Sequence, residues 1–207
     1  MNIVDYILLG LLVAMIIVGS KKGLLRELTA FFTLIPAVIV SINFMDTFSV
    51  AVYEKIGGSP MVVAFLSFIL LLGIAYAVFK LIGIGIAKIV NIQRKGKKDQ
   101  MGGAFIGFAR GWILISFIFF LLFLLPMPAT FYLVVEDSLF GPTLIKTIPT
   151  IYETSSALHP NNPSFYKKIE STLMLKNSKL RPTGDARAEV ELVLLQIERF
   201  FSSATTP

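Results

Sequence analysis

Two short segments hold the charged residues of this chain that could do chemistry. "KKGLLRE" covers residues 21–27 and "GFARG" covers residues 107–111, and each contains Gly-x-x-Arg. An arginine beside an apolar run must pair with a carboxylate or bind an anion, because an unpaired charge in lipid is costly. Glu27 is the natural partner of Arg110, and Asp99 is the next candidate. Two interpretations stay open for Arg110: a structural ion pair, or a residue that lines an anionic ligand site or pore.

Catalytic chemistry lacks its usual residues. The chain has no cysteine, and its one histidine, His159, falls in a loop-like segment. Asp5 is the one acid in the apolar segments, so a pair of catalytic carboxylates has no second member. We interpret Asp5 as a solvated carboxylate at a helix N-terminus, where the helix dipole favours it. We therefore expect no catalytic residue, no metal ion, no cofactor and no enzymatic activity.

Long apolar runs must position the charged segments. Of 207 residues, 55% are hydrophobic and only 15% are charged, which is too apolar for one soluble domain. A membrane-spanning helix needs about 20 apolar residues, and four segments qualify: 3–19, 28–45, 61–79 and 111–125. The pattern predicts an all-α integral membrane protein with four transmembrane helices in two hairpins, residues 1–126, followed by a mostly helical C-terminal tail.

The tail, residues 127–207, is expected to be extramembrane. Its helical patterns cover about 164–176 and 185–201, and Asp185 is a plausible N-cap. The second helix has one apolar face, which either packs on the rest of the tail or binds a membrane surface or partner. That face consists of Val190, Val193, Leu194, Ile197 and Phe201.

The distribution of positive charge predicts the orientation. Of the 19 Lys and Arg residues, 11 lie in residues 1–126, against five acids. Short connectors rich in Lys and Arg stay in the cytoplasm, so we expect both termini outside it. The chain has no basic stripe with interleaved aromatic residues, so we do not expect it to bind nucleic acid. The connectors after the first and third spans carry Lys21, Lys22, Arg26, Lys88, Arg94, Lys95, Lys97 and Lys98.

Glycines recur every four residues at the start of the fourth span. Gly103, Gly107 and Gly111 therefore share one helix face, which favours close approach of another helix. A span that began eight residues before Arg110 would place this arginine about 12 Å deep. A hydrocarbon boundary near Trp112 would leave Arg110 at the inner surface, and we prefer this cheaper placement. The segment 80–90 either prolongs the third helix or lies flat at the inner surface.

The order and spacing of these motifs resemble the bacterial colicin V production protein family (CvpA). "VDY" at 4–6 matches the Asp-Tyr pair in the family's first span, and "KGLLRE" at 22–27 matches its first inner loop. The resemblance covers about residues 1–150 and includes a later Ser-x-x-x-Pro, matched by Ser138 and Pro142. The family's Asp-x-x-x-Gly-x-x-x-Gly-x-x-Arg-Gly is filled by Asp99, Gly103, Gly107, Arg110 and Gly111.

The resemblance implies a bacterial inner-membrane protein that supports colicin V production or export and envelope function. We expect it to act by helix–helix assembly in the lipid bilayer, as a homo-oligomer or with other membrane proteins. The alternative is a subunit of an oligomeric channel or transporter, whose basic inner mouth would hold Arg26 and Arg110. The candidate motif and packing residues are Asp5, Gly23, Arg26, Glu27, Asp99, Gly103, Gly107, Arg110 and Gly111.

The charge pattern makes a topological prediction. A reporter enzyme that works only outside the cytoplasm, fused after residue 207, should be active, because an even number of spans returns the chain to the side of its N-terminus. The same reporter fused in the basic connector after the first span should be silent. Activity of the connector fusion, or a cytoplasmic C-terminus, would contradict the assigned orientation.

Overall fold

The structure is a computed structural model that describes residues 2–89, 96–158, 164–179 and 182–201. These residues form eight α-helices and a short 3-10 turn, Ser156–Leu158, and contain no strand. The predicted all-α fold, with four helices long and apolar enough to cross a membrane, is confirmed. The helices are α1 Ile3–Lys22, α2 Leu24–Ile56, α3 Pro60–Ile89, α4 Gly96–Phe123, α5 Ala129–Glu136, α6 Gly141–Thr154, α7 Phe165–Leu173 and α8 Asp185–Phe201.

The four long helices extend beyond the apolar runs that predict them. Helix α2 continues through Pro36 for 33 residues, which is possible where packed neighbours satisfy the freed carbonyl. Helix α3 continues to Ile89, so the segment after residue 80 prolongs the third helix as far as the structure describes it. Helix α4 begins at Gly96, well before the predicted fourth span. The basic residues Arg94 and Lys95 lie outside the described residues.

The long helices pack in the order α1, α4, α2, α3. Helix α4 contacts α1 along much of its length and also contacts α2, while α2 packs on α3; α1 and α2 touch little. Half of the apolar stretch of α2 and of α4 is buried, against 22% for α1 and 28% for α3. The helices α2 and α4 therefore form the centre, and α1 and α3 form an apolar rim. A helix that is hydrophobic all round and still exposes apolar side chains is typical of a membrane span.

The tail packs on the end of α4 through aromatic rings. The ring centroid of Phe123 lies 5.2 Å from that of Tyr132, 5.0 Å from Phe200 and 5.7 Å from Phe201. Edge-to-face contacts of this kind add to the free energy of burial. One hydrophobic cluster thus runs from the long helices into the tail, and residue 126 does not separate two cores.

The two tail helices lie close to their predicted positions. Helix α7 begins at Phe165, and the Ser164 hydroxyl accepts the backbone N–H of Lys167 at 3.4 Å. Asp185, predicted as an N-cap, is the first residue of α8. The predicted apolar face of α8 is entirely buried, so the interpretation that it packs within the protein is confirmed.

Two further tail helices, α5 and α6, are absent from the sequence prediction because prolines obscure them. Pro128 is the N-cap of α5. Pro142 lies in the first turn of α6, where the missing N–H has no helical partner to lose. Pro149 lies inside α6 and is buried. The prolines of this region therefore start helices or lie within them, although they favour turns by sequence.

Helix α2 also holds the tail by polar contacts. The Lys168 ammonium on α7 donates to the Asp46 carboxylate at 2.7 Å, with both side chains largely buried. The Glu54 carboxylate accepts the Ser178 hydroxyl at 2.9 Å and the Lys179 backbone N–H at 3.3 Å. The tail is thus held to α2 at two positions, Asp46 and Glu54.

Candidate functional site

The glycine face of α4 packs against α1. A Cβ atom at Gly107 would lie 2.7 Å from the Met15 carbonyl oxygen and 2.9 Å from the Gly19 Cα, so backbone meets backbone there. Gly103 likewise lies against Gly19 and Gly23, and Gly111 lies against the Met15 side chain. The prediction of close helix packing is confirmed, and the partner is α1 of the same protomer. Because α1 occupies this face, it is closed to a second copy.

The turn between α1 and α2 depends on Gly23. Its φ of 84° is a conformation that favours glycine. The space that a Cβ would fill holds the Asp99 carboxylate. One Asp99 oxygen accepts the Leu24 backbone N–H at 3.0 Å, in the first turn of α2. Asp99, predicted as the second candidate partner of Arg110, instead caps the N-terminus of α2.

Arg110 pairs with Glu27, as predicted. The Arg110 Nε lies 3.0 Å from one Glu27 oxygen, and the Lys22 Nζ lies 3.5 Å from the other. The Glu27 side chain is fully buried, and that of Arg110 is 11% exposed. The N···O distances make both contacts ion pairs. Neither has hydrogen-bond geometry, so the Glu27 oxygens accept no hydrogen bond from the described residues. The carboxylate therefore depends on two cations for its stability in a low-dielectric site.

The register of α1 and α4 fixes where Arg110 lies along the bundle. Gly103 lies against Gly19, and Arg110 is seven residues further along α4, about 10 Å from this level. The Trp112 indole N–H donates to the Thr147 hydroxyl at 2.9 Å, so α6 holds this side chain. The position of Arg110 relative to the hydrocarbon boundary stays a prediction. The buried Glu27 carboxylate requires a cation wherever that boundary lies.

Arg26 does not share this environment. Its side chain is exposed, and it forms no ion pair with another residue that the structure describes. The two Gly-x-x-Arg segments come together, but their arginines take different roles. Arg110 is a buried structural cation, and Arg26 is a surface charge one residue before Glu27.

Asp5 has partners that the sequence did not reveal. Its side chain is fully buried. One oxygen accepts the backbone N–H groups of Leu139 at 2.8 Å and Phe140 at 3.3 Å, and the other accepts Asn2 at 2.9 Å. The interpretation of Asp5 as a solvated carboxylate is wrong, because the N-terminus of α6 packs over it. Asp5 caps two helices, α1 and α6.

Ser138 and Gly141 complete this junction. The Ser138 hydroxyl accepts the Gly141 backbone N–H at 2.7 Å. A Cβ at Gly141 would collide with the Val135 carbonyl oxygen, and Pro142 follows in the first turn of α6. The Ser-x-x-x-Pro spacing is therefore a helix start that Asp5 reaches from α1. Sequence reasoning found the motif but not its contact with Asp5, since no local pattern links residues so far apart.

Gly19 is a further functional position that sequence reasoning missed. Its spacing of four from Gly23 matches the spacing of Gly103 and Gly107, so the signal was available. Within the described residues no three metal-binding side chains form a group. His159 lies outside the described residues.

These features define a polytopic α-helical membrane protein with a glycine-packed, ion-paired corner. The profile of the colicin V production protein family matches residues 4–149. The chain belongs to that family, and the match covers the four long helices, α5 and most of α6. No curated protein and no solved structure matches the chain significantly.

Gly107→Val should destabilise the protein by about 1–3 kcal/mol, because the new side chain must push α1 away from α4. The free energy of unfolding can be measured by titration with dodecyl sulfate in mixed micelles. Gly85→Val is the matched control, since nothing lies within 4 Å of a Cβ at Gly85. Equal stability of the two variants would contradict the close contact.

Asp5→Ala should accelerate amide hydrogen exchange at the start of α6, because the N–H groups of Leu139 and Phe140 lose their acceptor. We expect the midpoint of thermal unfolding in detergent to fall by several degrees. Asp137→Ala, at an exposed aspartate close by, should change neither quantity. Unaltered exchange at residues 139–145 in Asp5→Ala would show that the carboxylate does not hold α6.

Proposed function

We propose that the protein is an assembly component of the bacterial inner membrane that supports production and export of colicin V and maintenance of the envelope. It acts by lateral helix contacts with a second copy or with other membrane proteins. The proposal assigns no catalysed reaction and no cofactor to the chain. Membership of the colicin V production protein family supports the broad role.

The observation that carries the proposal is that the motif residues, Arg26 excepted, are engaged inside one protomer. The glycine face is closed by α1, the Arg110 charge is paired, and Asp5 and Asp99 cap helices. Residues used in this way build a rigid unit. An arginine fixed by a buried carboxylate is part of the packed corner, which supports a structural role over an ion pathway.

The surfaces left for partners are the rim helices α1 and α3. Both expose apolar side chains along their length. Each also has a glycine with nothing within 4 Å of a Cβ position, Gly10 on α1 and Gly73 on α3. Small residues allow helices to approach closely in lipid. The rim therefore offers sites for lateral contact that the protomer itself does not use.

The proposed orientation puts the Arg110 corner on the cytoplasmic side. Lys21, Lys22, Arg26, Lys97 and Lys98 are all exposed at this end of the long helices. A concentration of exposed basic residues at one end is typical of the cytoplasmic face. The tail, which packs at the opposite end of α4, then lies outside the cytoplasm together with the N-terminus.

Single-cysteine cross-linking in membranes tests the assembly. The natural chain has no cysteine, so Gly10→Cys and Gly73→Cys each create one reactive site. We expect a disulfide or short-linker dimer at one of these rim positions after oxidation. Ala64→Cys is the control, because this position is fully buried and should not cross-link.

Two results would contradict the proposal. One is the absence of cross-links at both rim positions together with undiminished colicin V export from cells that lack the protein. The other is ion flux into liposomes that hold the purified protein, provided that Arg26→Ala or Arg110→Ala abolishes it. That second result would establish the oligomeric channel with a basic inner mouth in place of the assembly component.

A further inference from the structure

We propose that the corner formed by Lys22, Glu27 and Arg110 binds the phosphate of an anionic phospholipid, with an acyl chain lying along α1. This inference concerns a ligand of the protomer and does not depend on a role in toxin export. It follows from the charge left over at the corner, the direction in which the cations face, and the surface that continues from them.

The corner carries more positive charge than its carboxylates neutralise. The contact between Asp99 and Leu24 brings the first turn of α4 beside the turn between α1 and α2. This end of the long helices carries six cations and two carboxylates, which leaves four positive charges. The carboxylates are Glu27 and Asp99, and the cations are Lys21, Lys22, Arg26, Lys97, Lys98 and Arg110.

The arrangement of the ion pairs leaves donors free. Glu27 is fully buried, whereas the Lys22 side chain is 46% exposed and that of Arg110 is 11% exposed, so Lys22 is the more accessible of the two cations. Arg110 approaches the carboxylate through Nε, and the structure describes no acceptor for its Nη groups. The two cations contact different oxygens of one carboxylate, which holds both in its immediate surroundings, and the proposed phosphate contacts the Lys22 ammonium and the Arg110 Nη groups. Arginine and lysine are the usual ligands of phosphate in proteins.

The surface of α1 beyond Lys22 indicates a lipid rather than a free phosphate. Val18, Ala14, Leu11 and Ile7 follow Lys22 at intervals of three or four residues, so they share its helix face. All four residues are exposed. The strip is about 22 Å long at 1.5 Å per residue, long enough for an acyl chain of ordinary length. A headgroup site with an apolar strip leading from it matches a phospholipid.

The site also explains an unusual feature of Glu27. A buried carboxylate without hydrogen-bond donors is costly unless cations hold it. The same carboxylate positions Lys22 and Arg110 side by side, where their mutual repulsion would otherwise separate them. Glu27 is thus a positioning residue for the phosphate ligands, and does not touch the lipid itself.

The test uses the full-length protein in detergent micelles with dioleoyl phosphatidylglycerol, and dioleoyl phosphatidylcholine as the uncharged comparison. Native mass spectrometry counts the retained lipids. We expect phosphatidylglycerol to bind preferentially, and Lys22→Gln to weaken it about fivefold. Lys55→Gln is the matched control: it removes the same charge from an exposed lysine in the last turn of α2, at the opposite end of that helix from the corner, and should leave binding unchanged.

Further variants distinguish phospholipid binding from an effect of charge alone and from binding of free phosphate. Ala14→Gln should weaken retention of phosphatidylglycerol without changing the charge of the protein. The double variant Glu27→Gln with Arg110→Gln keeps side-chain volume, and should lose the preference for phosphatidylglycerol while its thermal midpoint stays measurable. Equal retention of both lipids, or equal losses in Lys22→Gln and Lys55→Gln, would overturn the proposal. Displacement of phosphatidylglycerol by inorganic phosphate, with no effect of Ala14→Gln, would assign the site to free phosphate instead.

Discussion

The close approach of α1 and α4 is the constraint on which the rest of the structure depends. Where Gly19 meets Gly107, no side chain separates the two backbones. In lipid, packing of this kind replaces the hydrophobic effect as a source of helix association. It also sets the register of the two helices, and this register brings Arg110 into reach of Glu27 and the first turn of α1 to the start of α6.

Both aspartates of the family motif cap a helix other than their own. Asp99, in the first turn of α4, accepts an N–H at the start of α2. Asp5, in the first turn of α1, accepts two N–H groups at the start of α6. Such an acceptor stabilises a helix start, because the first N–H groups of a helix have no partner within it. The two caps therefore join elements distant in sequence at opposite ends of α1.

Features that depend on local sequence could be predicted, whereas contacts between residues distant in sequence could not. Hydropathy predicted the long helices, because the demand for about 20 apolar residues is local. The high free energy of an unpaired charge in lipid predicted that Arg110 pairs with Glu27. Periodicity identified the face formed by Gly103 and Gly107 but not the helix it meets, since a repeat marks a face and not its partner. The role of Asp5 could not be predicted, because contacts with residues as distant in sequence as Leu139 and Phe140 produce no periodic pattern.

The tail helices show the same limit in another form. Prolines favour turns on average, yet Pro128 and Pro142 stand at helix starts, where a fixed backbone angle helps the helix begin. Whether a proline ends a helix or starts one depends on the next residues and on what they pack against. The apolar face of α8 was visible from spacing alone, whereas α6 gained its place from Asp5 and Trp112, which lie on other helices.

The length of α2 has a consequence for the outer part of the molecule. Its 33 residues measure about 50 Å, some 20 Å more than the hydrocarbon layer needs. Since its first turn lies at the Asp99 corner, the additional length of α2 extends to the end of the bundle where the tail packs. Asp46 and Glu54 hold the tail to this part of α2, so a molecule that docked on the tail would meet a surface that cannot tilt independently of the long helices.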